Sequence, residues 1–227
     1  DHRTLQDFLD ETHRLPEDEH TRAQLNSQTG FMAKTWMSYN PGVHFPPSKF
    51  VEAVRVRCGC PIATTSFCPC GVNLTTVPTH PISCRFNTGY TAVHRHNEIL
   101  SAIASVSRSY GFTLLMEPQC YADEDNRRPD ILFCLGPRSI AVDLTVVDPT
   151  CADNVRPCAA TTGFAAANAS RDKVTKHAAN VEALGHTFHP WACEAFGHLD
   201  EGFVSSLRHL ARELPKFSRG QFVRDVV

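Results

Sequence analysis

Arg128-Pro129-Asp130-Ile131-Leu132-Phe133-Cys134-Leu135 leads through Gly136-Pro137-Arg138-Ser139 into Ile140-Ala141-Val142-Asp143-Leu144-Thr145-Val146-Val147. Two apolar runs separated by a Gly-Pro-Arg turn read as strands over Ile131 to Leu135 and Ile140 to Val147. The second run is nearly continuous, which predicts a central strand buried on both faces. Alternation puts Ile140, Val142, Leu144 and Val146 on one face and Ala141, Asp143, Thr145 and Val147 on the other. An aspartate inside such a strand is costly to bury unless it is paired or holds a cation. Asp130, which opens the other strand, supplies a second carboxylate on the neighbouring strand.

Working outward, Ile99, Ile103, Val106 and Tyr110 recur at helical spacing from about His94, and Gly111 stops that helix. Phe112 to Met116 reads as a strand. Beyond the central pair, residues 171–184 look helical, with Val174, Ala178 and Val181 as the buried stripe. Thr187 to Phe196 reads as a fourth strand, weakened at Pro190. Phe203, Leu207, Leu210 and Leu214 mark a last amphipathic helix ended by Pro215. This order predicts an α/β fold, a mixed sheet flanked by helices. Residues 1–57 read as a helical segment. Its first twenty carry Asp1, Asp7, Asp10, Glu11, Glu17, Asp18 and Glu19, which suits a solvated face. Asn40-Pro41-Gly42 and Pro46-Pro47 break it, and Ser48 is placed to cap a helix with Glu52 near the capping-box position. Residues 58–93 show little periodicity and need a staple. The division expected is 1–57, 58–93 and 94–227.

Composition narrows the class. Of 227 residues, 42% are hydrophobic and 20% charged, which is enough apolar content for a core and argues against global disorder. No apolar run approaches the ~18 residues of a membrane span. The polar, acidic start has no basic and apolar leader, so a secretory signal is not expected. A formal net charge of −2 means that any nucleic-acid contact must be local. The ten cysteines allow two readings, a disulfide-rich extracellular chain or a metal site in a reducing compartment. Cys68-Pro69-Cys70, His80 and Cys84 favour the second, because three thiolates and one imidazole suit tetrahedral zinc. No ligand position is left for water, so the zinc would be structural. Cys58 and Cys60 compete as ligands. His94 and His96 are also in reach, but open the next helix.

Asp130 and Asp143 lie on neighbouring strands, and Lys173 and Lys176 follow within one helical turn. Two aspartates can hold Mg²⁺ against a scissile phosphate while a lysine stabilises developing charge. Pro129-Asp130 followed by Asp143 resembles the start of a PD-(D/E)-x-K nuclease core. Thr145 stands where that core has its lysine. In one branch the lysine has migrated to the next helix as Lys-x-x-Lys-Tyr. Lys173-Val174-Thr175-Lys176-His177 is similar, with His177 in place of the tyrosine. The same branch carries a Cys/Cys/His/Cys knuckle followed by Arg-His-Asn, matched here by Cys68, Cys70, His80, Cys84 and Arg95-His96-Asn97. Together these resemble the C-terminal region of non-LTR retrotransposon polyproteins with a restriction-like endonuclease, over about residues 25–215. Phe31 to Trp36 and Phe50 to Arg57 resemble the linker ahead of the knuckle. Cys58-Gly59-Cys60 falls where relatives carry apolar residues, which favours packing over zinc.

The resemblance implies a restriction-endonuclease-like sheet preceded by a small zinc knuckle and a helical segment. It implies that Asp130 and Asp143 bind catalytic Mg²⁺ or Mn²⁺ and that Lys173 is the migrated lysine. Lys176 is then its partner or a phosphate contact, and Glu98 and Glu117 are candidate extra acidic ligands. Arg95-His96-Asn97 takes a place in the active region; capping or bonding the knuckle to the core is the alternative for His96 and Asn97. The implied activity is nicking of double-stranded target DNA for target-primed reverse transcription, in the nucleus, as one piece of a polyprotein with its own reverse transcriptase and element RNA. Arg55, Arg57, Arg127, Arg128 and Arg171, with Lys173 and Lys176, would supply phosphate contacts. Arg208, Arg212, Lys216, Arg219 and Arg224 form a second basic group, read as a solvated helix face. The competing reading is a non-catalytic zinc-knuckle module that binds nucleic acid.

Overall fold

A computed structural model describes residues 18–29, 46–58, 67–77, 79–119 and 128–226. Arg127, Cys60, the acidic run before Asp18 and Phe31 to Trp36 lie outside the described residues. The elements are α1 (Glu19–Ser27), α2 (Pro47–Arg57), a 3₁₀ turn (His80–Ile82), α3 (Arg85–Ser109), β1 (Thr113–Met116), β2 (Ile131–Leu135), β3 (Arg138–Val147), α4 (Val155–Ala160), α5 (Phe164–Ala183), β4 (Thr187–Glu194), α6 (Glu201–Ala211) and α7 (Arg219–Val226). The chain divides into two compact units. The first holds residues 1–93, 148–165 and 194–198; the second holds 94–147, 166–193 and 199–227. Among the described residues no helix is long and apolar enough to cross a membrane.

In the second unit a four-stranded mixed sheet runs in the order β1-β2-β3-β4. β1 and β2 are antiparallel, with Met116 opposite Ile131. β2 and β3 form a hairpin around Gly136-Pro137, with Leu135 opposite Arg138 and Ile131 opposite Val142. The alternation expected in β3 is the one observed. Ile140, Val142, Leu144 and Val146 join Ile131, Phe133, Trp191 and Cys193 in one cluster, covered by Leu100, Ile103 and Ala104 of α3, by Phe203, Leu207 and Leu210 of α6, and by Phe222 of α7. Ala141, Leu132 and Phe188 face the other way and pack against Val181 and Ala178 of α5. Trp191 is fully buried, stacks on Phe203 at 4.5 Å between ring centroids and donates its indole N–H to Ser206 Oγ at 2.6 Å. Pro190 is tolerated because β4 ends the sheet order, where a missing N–H costs no ladder bond on the open side.

Helix ends follow local chemistry. Gly111, at φ +87°, closes α3: its N–H donates to the Arg108 carbonyl at 2.9 Å, and the Phe112 N–H donates to Ser107 at 3.1 Å. The Asp18 carboxylate accepts from the Thr21 N–H and caps α1. In the first unit α1 packs on α4, and Asn26 Nδ2 donates to the Cys158 and Ala159 carbonyls at 2.8 and 3.2 Å.

Several boundaries differ from the expectation. α3 starts nine residues before His94, so His94 and His96 lie inside the helix and do not open it. Phe86 and Val93, the large apolar residues described in these early turns, are exposed. α5 likewise starts at Phe164, through an alanine-rich turn. Pro47 is already helical, which places Ser48 within the first turn of α2 and not ahead of it as a cap. α4 and α7 were not expected: one has six residues around a proline, and the other buries a single side chain, Phe222.

Truncating Phe133, fully buried between Phe112 and Trp191, should cost about 3–5 kcal/mol of stability in a Phe133→Ala variant, read by urea unfolding.

Candidate metal and carboxylate sites

The first site is a knuckle within the first unit. Phe67 and Asn73 form an isolated antiparallel bridge, and between them the Cys68 N–H donates to the Val72 carbonyl at 2.8 Å. Gly71 makes the turn possible at φ +92°, a conformation that L side chains rarely adopt. This fold-back aims the Cys70 N–H at the Cys68 thiol and the Val72 N–H at the Cys70 thiol. The 3₁₀ turn with Pro81 near its start presents His80. Cys84 follows immediately before α3.

Cys68, Cys70, His80 and Cys84 bring one ligand atom each to within 4.8 Å of the others, a group that could hold a metal such as zinc. Cys70 Sγ lies 2.9 Å from His80 Nε2, and Cys68 Sγ lies 3.5 Å from Cys84 Sγ. Tetrahedral zinc with Zn–S bonds near 2.3 Å separates its sulfurs by about 3.8 Å, so the group is close to ligand spacing. The donated N–H from Val72, with hydrogen bonds from the neighbouring thiols and His80, brings the Cys70 thiol down to about 6 against the pull of burial. At Cys68 the Cys70 N–H acts downward, but burial and proton sharing with Cys70 and Cys84 outweigh it and leave the thiol at about 11. A ready thiolate at Cys70 beside a protonated Cys68 is a state from which a cation would displace the remaining proton. Among the described residues the knuckle's own apolar cluster is Cys68, Leu74 and Cys84 with Cys70 and Val72 against them, too small to hold a fold without a cross-link. Cys58 is exposed and outside the group. Cys68, Cys70, Cys84, Cys134, Cys151 and Cys158 are free thiols.

The second site lies wholly in the second unit. The β2–β3 register, carried one residue past Ile131 opposite Val142, sets Asp130 opposite Asp143. The same extension from β1 sets Glu117 opposite Asp130, and the Glu117 N–H donates to the Asp130 carbonyl at 2.9 Å. Glu117 ends β1 at φ +41°, a strained conformation for a non-glycine residue, and is exposed. Asp143 shares the face of Ala141, toward α5. Its side chain is only 5% exposed, and Lys173 Nζ donates to both carboxylate oxygens at 2.9 Å. His177, one turn further along α5 and buried, places Nε2 3.2 Å from Asp143 Oδ2. On the other side, Asp130 Oδ2 accepts from the Leu144 N–H at 2.6 Å and from His96 Nε2 at 3.2 Å. The same Nε2–H reaches the Leu144 carbonyl at 3.3 Å, and His96 Nδ1 lies 3.3 Å from Asn97 Oδ1.

The two carboxyls are unlike. Burial, opposed by Lys173 and reinforced by the charge of Asp130, raises Asp143 to about 6. Burial also acts upward on Asp130, but the His96 hydrogen bond, the Leu144 N–H and the Asp143 hydrogen bond outweigh it and leave Asp130 below the usual range. The Asp130 hydrogen bond in turn raises His96. The pair therefore holds a proton that favours Asp143, as expected for two carboxyls that cannot both ionise cheaply.

Of the sequence candidates, the structure gathers Asp130, Asp143, Lys173 and His96. Glu117 stands in the same cross-strand row, and Asn97 touches His96. Lys176 is exposed on α5, Arg171 is exposed and donates to Asn168 Oδ1 at 3.1 Å, Arg95 and Arg128 are half-buried, and Glu98 is exposed. His177 was missed as a site residue. The available signal was its i, i+4 relation to Lys173, which puts both on one face of α5. Compared with models of known protein families and with curated proteins, the chain matches none.

Two outcomes follow. Purified chain should carry one zinc, and Cys84→Ser should lose it, as measured by elemental analysis. In protein without added magnesium or manganese, Asp143 keeps a proton between pH 3.8 and about 6 that the unfolded chain has released. Stability therefore falls as pH rises through that window. His96, raised from 6.5, adds a loss in the same direction at higher pH. His189, lowered from 6.5, acts in the opposite direction in wild type and Asp143→Asn alike, so the decline due to Asp143 is read as the difference between the two in urea unfolding across pH 4–6.

Proposed function

We propose that the chain is a divalent-metal-dependent DNA endonuclease of the restriction-like kind that accompanies non-LTR retrotransposon reverse transcriptases. One observation carries the reading: Asp130 and Asp143 oppose each other across β2 and β3, and a lysine from the next helix is seated on the buried Asp143. Two converging carboxylates and a movable cation are what phosphodiester hydrolysis requires. The donor set fits a hard cation, since the oxygens of both carboxyls converge and their mutual repulsion already raises Asp143. Asp130 and Asp143 would hold Mg²⁺ or Mn²⁺, which when bound neutralises charge at the scissile phosphate.

The residues of this chain do the rest. His96 and the Leu144 N–H fix the Asp130 carboxylate and keep it ionised. His177 holds the Asp143 side chain on the α5 side. Lys173, seated beside Asp143, would offer its ammonium to the negative charge that grows on the phosphate oxygens. Arg95, Asn97, Arg128 and Arg171 are the described polar groups offered to the DNA backbone. By resemblance, the product would be a nicked target strand whose 3′-hydroxyl primes reverse transcription. The substrate would be double-stranded DNA, the partners the element RNA and the reverse transcriptase of the same polyprotein, and the compartment the nucleus. The Cys68–Cys84 knuckle is the structural zinc module of this arrangement.

The competing reading, a non-catalytic zinc-knuckle module that binds nucleic acid, has one observation in its favour. Both oxygens of Asp143 are already engaged by Lys173, and Oδ2 also has His177 at 3.2 Å. A purely structural ion cluster would look the same.

Nicking of supercoiled DNA in Mg²⁺ or Mn²⁺ separates the two. Asp143→Asn should abolish it. Lys173→Ala should slow it roughly 10²-fold or more, while Lys176→Ala, at an exposed position, stays near wild type. Equal rates for wild type and Asp143→Asn would end the nuclease reading.

A further inference from the structure

A cleft of about 510 Å³ opens in the second unit, lined by Leu135, Arg138 and Ile140 of the β2–β3 hairpin, Thr187 and His189 of β4, and Ser205, Ser206, His209 and Arg212 of α6. Its position is distinct from the carboxylate pair. Leu135 is five residues along β2 from Asp130, about 17 Å of extended strand. Ile140 belongs to the face packed on α6, whereas Asp143 belongs to the face packed on α5. A single phosphate cannot touch both sites.

The polar groups of the cleft are mostly donors. Arg138 and Arg212 bring two guanidinium groups. The imidazoles of His189 and His209 lie 6.4 Å apart, and Thr187 adds a hydroxyl, whereas Ser205 already donates to the Gly202 carbonyl at 3.1 Å and can only accept. Ser206 is occupied, donating to the Phe203 carbonyl at 2.9 Å and accepting from Trp191. Arg138 is held by a carboxylate outside the lining, Glu213, whose Oε1 accepts from it at 3.0 Å. Among the described residues no carboxylate pairs with Arg212. Burial and the neighbouring His209 hold His189 below its ordinary value, and an anion seated beside His189 would favour its charged form.

We propose that this cleft is a binding site for a phosphoryl group. Arginine forks and imidazolium groups match a tetrahedral, multiply charged oxyanion, and the Thr187 hydroxyl adds a hydrogen bond. The volume admits a phosphate together with a nucleoside-sized body. Glu213 acts as the internal stand-in, holding Arg138 until the ligand arrives. The assignment gives Arg212, one member of the basic group near the C-terminus, a role beyond a solvated face. Arg219 is used otherwise, donating to the Leu214 and Arg212 carbonyls at 3.0 Å each.

The test is a titration of the full chain with inorganic phosphate, followed through the side-chain NMR signals of His189 and His209. Saturable shifts of both signals are expected. Arg212→Gln should weaken binding about tenfold. Glu213→Gln should tighten it, a gain that misfolding cannot produce. Inorganic phosphate that fails to saturate, or an Arg212→Gln variant that responds like wild type, overturns the proposal. A nucleoside 5′-monophosphate and a 5′-phosphorylated oligonucleotide then identify the source, according to which binds more tightly than phosphate; if neither does, the site is for the free ion. None of these arms uses a divalent cation or a cleavage readout, so their failure is independent of the nuclease reading.

Discussion

Burying one carboxylate in the middle of a sheet is the constraint from which the second unit is organised. Asp143 sits in β3 with 5% of its side chain exposed, where an isolated ionised group would cost several kcal/mol. The structure answers with Lys173 and His177 from the same face of α5 and with a hydrogen bond shared with Asp130. Those partners fix the rotation of α5 against the sheet, because residues 173, 177 and 181 form one stripe, polar at one end and closed by Val181 in the apolar cluster at the other. Asp130 then needs its own support, which comes from the Leu144 N–H and from His96 on α3. The ionic centre therefore ties helices on opposite faces of the sheet to the two strands between them.

The two candidate metal sites differ in chemistry as well as in place. The knuckle offers soft thiolates and an imidazole on a tight turn with little apolar support, the circumstances in which a metal supplies folding energy. The carboxylate pair is built on a well-packed sheet that needs no metal to form. Its partners hold Asp143 and Asp130 in opposite protonation preferences, one raised and one lowered, and this asymmetry is a chemical resource beyond a structural ion pair. For stability alone, two apolar residues at these positions would serve as well or better.

Much of this was legible in the sequence because it depends on spacing. The alternation in Ile140 to Val147 correctly separated the face of Asp143 from that of Val142 and Leu144. The Gly136-Pro137 turn placed β2 against β3, and that hairpin register alone brings Asp130 opposite Asp143. Cys68, Cys70, His80 and Cys84 were readable as a group because their residue types allow few alternatives. Features resting on tertiary packing were not legible. His96 was readable as belonging to the active region, but its bond to Asp130 depends on how α3 packs on the sheet. His177 was noticed as a departure from a motif, not as a partner of Asp143. α4 and α7 are too short for periodicity to resolve.

The central claim is that Asp130 and Asp143 form a divalent-cation site and not merely a buried ion cluster. Calorimetric titration of the zinc-loaded chain with Mn²⁺, in wild type and in Asp143→Asn, tests this most directly. The account predicts one Mn²⁺ per chain in wild type and none in the variant, with zinc content unchanged in both. No Mn²⁺ binding to wild type, or the same binding in Asp143→Asn, would contradict it.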